Sequence, residues 1–221
     1  FAASPASHAA ELFVSAGDGE GSTARRLTRS TPDLEGRAFG QQRVVKYRTR
    51  DGLMVEGLLV LPIGYQEGTR YPLVIVAHGG PESHYSDGWL TTYSQWGHLL
   101  AARGIMSWYP NYRSSTGYGV AFCKHDHGDP MGKEFDDHLD AIAHFDKLGM
   151  IDRSRVGSGG GSSGGDPTLF ETALACRQLG LHDALNLDGG SSTTLVVAGQ
   201  TVMNGRGGSP RVHNGLGLVN R

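Results

Sequence analysis

Leu73-Val-Ile-Val-Ala77 is a run of five apolar residues with no polar interruption. A strand buried on one face alternates apolar and polar side chains, so an unbroken run of this length predicts a strand covered on both faces. A helical stretch follows from Tyr93 to Arg103, closed by Gly104, and then a second strand-like run over Ile105 to Tyr109. Further on, Lys133 to Leu148 sets Phe135, Leu139, Ile142, Ala143 and Phe145 at helical spacing, with Gly149 where the helix would stop. Arg155-Val-Gly157 is the strand expected next. Alternating strands and helices of this kind predict an α/β fold with a mostly parallel sheet covered by helices.

Upstream of that core, Arg43-Val-Val-Lys-Tyr-Arg48 and Leu53-Met-Val-Glu-Gly-Leu-Leu-Val60 flank Asp51-Gly52, a strong hairpin signal. An antiparallel edge pair is expected there. Residues 1–40 read as the end of a β-rich region, with Glu11 to Ser15 as a strand, Gly17-Asp-Gly19 as a turn and Ala24 to Thr28 as the return strand. Downstream, Thr168 to Leu179 predicts a helix stopped by Gly180, and Ala184-Leu-Asn-Leu-Asp188 a strand. Thr193 to Val197 and Gln200 to Met203 predict a second hairpin around Ala198-Gly199.

The 221 residues carry 20 Lys and Arg against 22 acidic residues, a formal net charge of −2. That balance leaves no electrostatic footprint for nucleic acid or an anionic membrane surface, and no apolar run has the length of a membrane span. The opening stretch from Phe1 lacks the basic start and long apolar middle of a signal peptide, and the chain is expected to be a fragment of something longer. Cys123 and Cys176 lie in separately structured stretches, which argues against a disulfide framework while leaving one bridge open. His125-x-His127-x-Asp129 is the nearest approach to a metal-ligand spacing, and no metal or cofactor is assigned. Compartment and oligomeric state are not specified by these features. Glycine is the anomaly, with 34 residues concentrated in Gly157 to Gly165 and Gly189 to Gly217.

Gly160-Gly-Ser-Ser-Gly164 matches G-x-S-x-G, in which a serine sits on a tight strand-to-helix turn between small neighbours. A flexible linker has the same composition, so the stretch alone leaves elbow and linker both open. Its surroundings are more specific. Five motifs in order resemble the hydrolase domain of the prolyl oligopeptidase family, particularly its acylaminoacyl-peptidase-like and dipeptidyl-peptidase-like members. They are Asp51-Gly52, Val76-Ala-His-Gly-Gly-Pro81, Tyr109-Pro-Asn-Tyr-Arg-Ser-Ser-Thr-Gly-Tyr-Gly119, Gly132-Lys-Glu-Phe-Asp-Asp137, and Asp152-Arg-Ser-Arg-Val156 running into the glycine-rich stretch. The resemblance covers about residues 40–165 and implies a serine hydrolase acting on short peptides or acylated amino acids.

By that resemblance Ser162 is the nucleophile, and the N–H groups of Gly80 and Ser163 are the oxyanion donors. His78 belongs to the His-Gly-Gly-Pro loop rather than serving as the base. Ser163 stands where the family usually has an aromatic residue, and Ser114 where it usually has glycine. The resemblance also makes residues 1–40 the closing strands of a β-propeller and residues 41–165 the front half of an α/β-hydrolase domain.

Past Gly165 this likeness stops. Ser162, Asp188 and His213 keep the Ser, Asp, His order of an α/β-hydrolase triad, although order alone does not supply geometry. Asp183-Ala-Leu-Asn-Leu-Asp-Gly-Gly-Ser-Ser-Thr193, Val196-Val-Ala-Gly199 and Arg211-Val-His-Asn-Gly-Leu216 instead resemble the C-terminal part of phosphodiester glycosidases, over about residues 168–219. That second resemblance implies acid-base work or sugar recognition by Asp188, with Gly189, Gly190, Ser191, Ser192 and Arg211 around a phosphate. The chain is thus expected to be a partial α/β-hydrolase-like sheet preceded by a propeller-derived hairpin and followed by a small α+β segment at 166–221. Three functions stand open: serine peptidase, phosphodiester glycosidase and non-enzymatic chimeric fragment.

Overall fold

The computed structural model describes residues 1–15, 23–80, 82–90, 95–125, 127–129 and 132–160, together with the backbone of two strands near the C-terminus. Strands β1 (Ala2–Ala3), β2 (Glu11–Ser15) and β3 (Ala24–Arg26) form a small antiparallel sheet. It has three strands where the sequence predicts a hairpin, because Ala2 and Ala3 pair with Leu12 and Glu11. The main body follows: β4 (Gln42–Arg48), β5 (Met54–Val60), β6 (Tyr71–Ala77), α1 (Gly97–Ala101), β7 (Met106–Asn111), α2 (Val120–Cys123), α3 (Lys133–Lys147) and β8 (Ile151–Gly160). Strands β9 (Thr194–Val197) and β10 (Gln200–Asn204) pair antiparallel on either side of residues 198–199, as their spacing predicts.

The five main strands lie in the order β4-β5-β7-β6-β8. Two pairings are antiparallel, β4 with β5 and β5 with β7, and two are parallel, β6 with β7 and β6 with β8. The sheet is therefore mixed rather than mostly parallel. The reason is the β4–β5 hairpin, whose second strand docks beside β7 and brings the reversed direction into the sheet interior.

Both faces are covered, which is why the strands read as continuous apolar runs. Val55, Leu59, Leu73, Ile75 and Trp108 pack with Ile142 and Phe145 of α3. Leu58, Val60, Val76 and Tyr109 pack with Ala101 of α1. The neighbours Trp108 and Tyr109 are both fully buried, one in each cluster. Each such side chain removed from water contributes roughly 1.5–3 kcal/mol.

Two elements differ in length from the sequence expectation. Helix α1 begins at Gly97, where its N–H is taken by the Tyr109 hydroxyl at 2.6 Å, and so it is shorter than the stretch from Tyr93. Strand β8 is longer than Arg155-Val-Gly157, and its register against β6 slips between Tyr71 and Leu73. At the slip, Asp152 accepts hydrogen bonds from the Ser154 N–H and hydroxyl and from Arg155 Nε. The polar Asp152-Arg-Ser-Arg155 stretch thereby leaves the ladder without stranding its donors.

Candidate active site

The parallel neighbours β6 and β8 end together. Val76 lies opposite Gly159 and Ala77 opposite Gly160, at a strand separation of about 4.8 Å. Past Ala77 the chain enters His78-Gly-Gly80, and Gly160 opens the G-x-S-x-G sequence. Such carboxyl ends of parallel strands are where open α/β sheets bind their ligands. Gly80 has φ +141°, and a Cβ there would lie 2.5 Å from the Glu82 amide nitrogen, so the turn requires glycine. On the neighbouring strand a Cβ at Gly159 would lie 2.9 Å from the Trp96 ring.

His78 is buried beneath this turn. Its ring stacks on Tyr112 with centroids 4.4 Å apart, and Nε2 lies 2.9 Å from the Ser115 hydroxyl. The Tyr112 hydroxyl donates to the His78 carbonyl oxygen at 2.6 Å. Burial lowers the His78 pKa to about 4, so the ring is neutral near pH 7. Its partners belong to the loop after β7, in keeping with a place in the turn rather than duty as a free base.

The same loop reaches the rest of the fold through Arg113. Its guanidinium donates to Asp137 of α3 from Nη2 at 2.6 Å and from Nε at 3.1 and 3.0 Å, and to Asp51 in the β4–β5 turn at 3.0 and 3.2 Å. The Arg113 N–H adds a bond to Asp137 Oδ2 at 2.9 Å. Burial pushes the Asp137 carboxyl above its usual value against the pull of Arg113. Asp51 is held below the carboxylate range, first by Arg113 and then by the Thr49 hydroxyl. Asp51-Gly52, Tyr112-Arg-Ser-Ser115 and Asp136-Asp137, which are far apart in sequence, are thereby tied at one place.

Ser114 sits at φ +79°, alone among the described non-glycine residues in having a positive value, and its buried Oγ has no hydrogen-bond partner among the described residues. Both observations mark a backbone site shaped for glycine.

Comparison with known sequences gives this arrangement its setting. Residues 91–175 match the prolyl oligopeptidase family. The phosphodiester glycosidase family matches residues 156–219, so the two matches overlap across the end of β8 and the glycine-rich stretch. The uncharacterized peptidase YuxL of Bacillus subtilis is 40% identical over 122 residues, 55% of this chain and 18% of that protein. Dipeptidyl aminopeptidase BIII of Pseudoxanthomonas mexicana is 34% identical over 158 residues, 69% of this chain and 22% of that protein. The chain thus spans about a fifth of the length of these relatives. Among solved structures, Pyrococcus horikoshii acylaminoacyl peptidase superimposes with a TM-score of 0.66 at 28% identity, over 86% of this chain and 29% of that one. An acylaminoacyl peptidase in complex with Z-Gly-Gly-Phe-chloromethyl ketone gives 0.67 over the same shares.

Of the site residues expected from sequence, Gly80 lies at the predicted turn. Ser162, Ser163, Asp188, Gly189, Gly190, Ser191, Ser192, Arg211 and His213 lie outside the described residues. No group of three or more His, Cys, Asp or Glu able to hold a metal gathers among the described residues, and His127 faces Glu82 at 3.2 Å. Cys123 is a free thiol, and Cys176 lies outside the described residues. No described helix is long and apolar enough to cross a membrane. Sequence reasoning passed over Tyr112, Arg113 and Ser115, although all three sit inside a motif it had singled out. Their partners lie 24 to 62 residues away, and spacing along the chain gives no sign of such pairs.

Proposed function

We propose that this chain carries the nucleophile-bearing part of a serine peptidase of the prolyl oligopeptidase type, acting on short peptides or acylated amino acids. The observation that carries the reading is the adjacency of β6 and β8, which brings the Gly80 turn and the start of G-x-S-x-G to one edge of the sheet. In this reading the sheet is the front half of an α/β-hydrolase domain, and residues 1–40 are the closing strands of a propeller.

Ser162 Oγ attacks the substrate carbonyl carbon and gives its proton to His213, which Asp188 orients. The new oxyanion accepts hydrogen bonds from the Gly80 and Ser163 N–H groups. The C–N bond then breaks as the imidazolium protonates the leaving amine, and water attacks the acyl-enzyme by the reverse proton path. A fluorophosphonate probe followed by peptide mass mapping tests the nucleophile. The expected result is one adduct on Ser162, absent from Ser162→Ala, and a folded protein that takes up no label overturns the reading.

The match over residues 156–219 favours a second reading, a phosphodiester glycosidase with Asp188 in acid-base work and Gly189 to Ser192 with Arg211 around the phosphate. Release of sugar from a sugar phosphodiester, lost in Asp188→Ala, is its expected signature. No sugar release from the wild-type chain removes it.

A further inference from the structure

Where the N-terminal region meets the main body, a cavity of about 240 Å³ opens to solvent. Phe39 and Trp89 line it as an aromatic wall, edge to face with centroids 4.9 Å apart. The buried ring of His98 on α1 packs against both, at 5.1 and 4.9 Å. Phe39 comes from the connector before β4 and Trp89 from the loop after the Gly80 turn, so the wall is fixed by three separate segments. A rigid, half-buried aromatic surface of this kind is what a planar apolar group packs on.

The charged lining residues are not equivalent. Arg26 gives Nη2 to Glu11 at 2.6 Å, and Glu35 is countered by Arg26 at 3.5 Å and Arg29 at 3.6 Å. Arg37 is different. Its Nε donates to the Asp33 carbonyl oxygen at 2.8 Å, and its guanidinium meets no carboxylate among the described residues. A guanidinium anchored through Nε keeps its Nη1 and Nη2 edge as a preset fork, the geometry that takes the two oxygens of a carboxylate. An apolar wall with a few convergent polar groups is the usual make-up of a small-molecule site, and this volume is below the roughly 300–1,000 Å³ of sites for drug-sized ligands. The occupant that fits is therefore small, with one ring and one negative charge.

We propose that this cavity binds a small carboxylate that carries an aromatic ring: the ring packs on Phe39 and Trp89, and the carboxylate takes the Nη edge of Arg37. The lining includes none of the residues placed at the Gly80 turn. The site stands apart from the serine-peptidase reading and does not rest on it.

The test titrates the full chain with 3-phenylpropionate. Its neutral isostere 3-phenylpropanamide and plain propionate are the two controls. Ring-proton shifts of Trp89 and His98 report on the wall, and calorimetry gives the affinity. The acid is expected to bind with a dissociation constant on the order of 1 mM. The amide, which lacks the charge, and propionate, which lacks the ring, should each bind roughly tenfold more weakly or worse. Arg37→Ala should weaken the acid to the level of the amide and leave the amide unchanged, with partial recovery in Arg37→Lys. Arg37 is exposed, so these variants leave the core untouched. Phe39→Leu should weaken the acid and leave propionate as it was. Absence of a saturable shift at the Trp89 and His98 rings overturns the proposal. So does an amide that binds as well as the acid, or an affinity for the acid that Arg37→Ala leaves unchanged.

Discussion

In the N-terminal three-stranded sheet the buried acid is Glu11, and in the body built on the five-stranded sheet it is Asp137 of α3. Glu11 is the one buried residue among the described residues of 1–35, while Leu12 and Leu27 beside it are each 52% exposed. It accepts from Arg26 at 2.6 Å, from the Ser30 N–H and hydroxyl at 2.8 and 3.1 Å, and from the Thr28 hydroxyl, all within 19 residues of itself. Asp137 is buried on α3, whose Ile142 and Phe145 join one apolar cluster, and through Arg113 it reaches Asp51 from another part of the chain. One region is centred on local polar contacts to a carboxylate. The other rests on apolar burial, and its carboxylate serves to align distant segments.

That contrast predicts unequal responses to loss of the acid. Asp137→Ala leaves Arg113 buried with only its half-exposed partner Asp51, and should lower global stability by about 3–5 kcal/mol in urea denaturation. Asp51→Ala, on the exposed side of the same guanidinium, should cost only about 1 kcal/mol. Equal losses from the two would break the view that burial organises the network.

Glu11 should respond more locally and to acid. Hydrogen bonding, first from Thr28, lowers its pKa in the folded chain to about 2 from 4.5. Its contribution is therefore present above pH 4.5 and lost as pH falls from there toward 2. Amide exchange over residues 1–30 should accelerate across that window while the β4–β8 sheet keeps its protection. Glu11→Gln should show the faster exchange already at neutral pH. Acceleration shared equally by both sheets would mean that they open as one unit.

A small effect of opposite sign is expected at Ser114, where φ is +79° and the hydroxyl is buried without a partner among the described residues. Ser114→Gly relieves both penalties at the cost of a more flexible unfolded chain, for a net gain of about 1 kcal/mol in thermal or urea denaturation. A loss on substitution would show that the serine side chain supports the loop.

Most of the sheet was legible because its signals are local. The run Leu73 to Ala77, the Asp51-Gly52 turn and the helical spacing of Phe135, Ile142 and Phe145 each report on a few neighbouring residues, and each became the expected element. The direction of the sheet was less so. The β4–β5 hairpin is plain in sequence, but its docking against β7 depends on which apolar face meets which, and this turned a mostly parallel expectation into a mixed sheet. At the site, the turn was legible through Gly80, the glycine that its backbone demands. Tyr112 and Ser115 were not, because a tyrosine and a serine carry no sign of whose carbonyl or ring nitrogen they will meet.

The alternation of strands and helices, the position of the glycine-dependent turn after β6, and the likeness to two families on either side of the glycine-rich stretch are written in the chain itself, since each rests on short-range pattern or on motif order. Folding in three dimensions makes β6 and β8 neighbours with ends in register and brings Asp51, Arg113 and Asp137 together. It also sets His78 against Tyr112 and Ser115 beneath the turn. Each of these depends on long-range packing, in which the partner is selected by shape and burial rather than by distance along the chain.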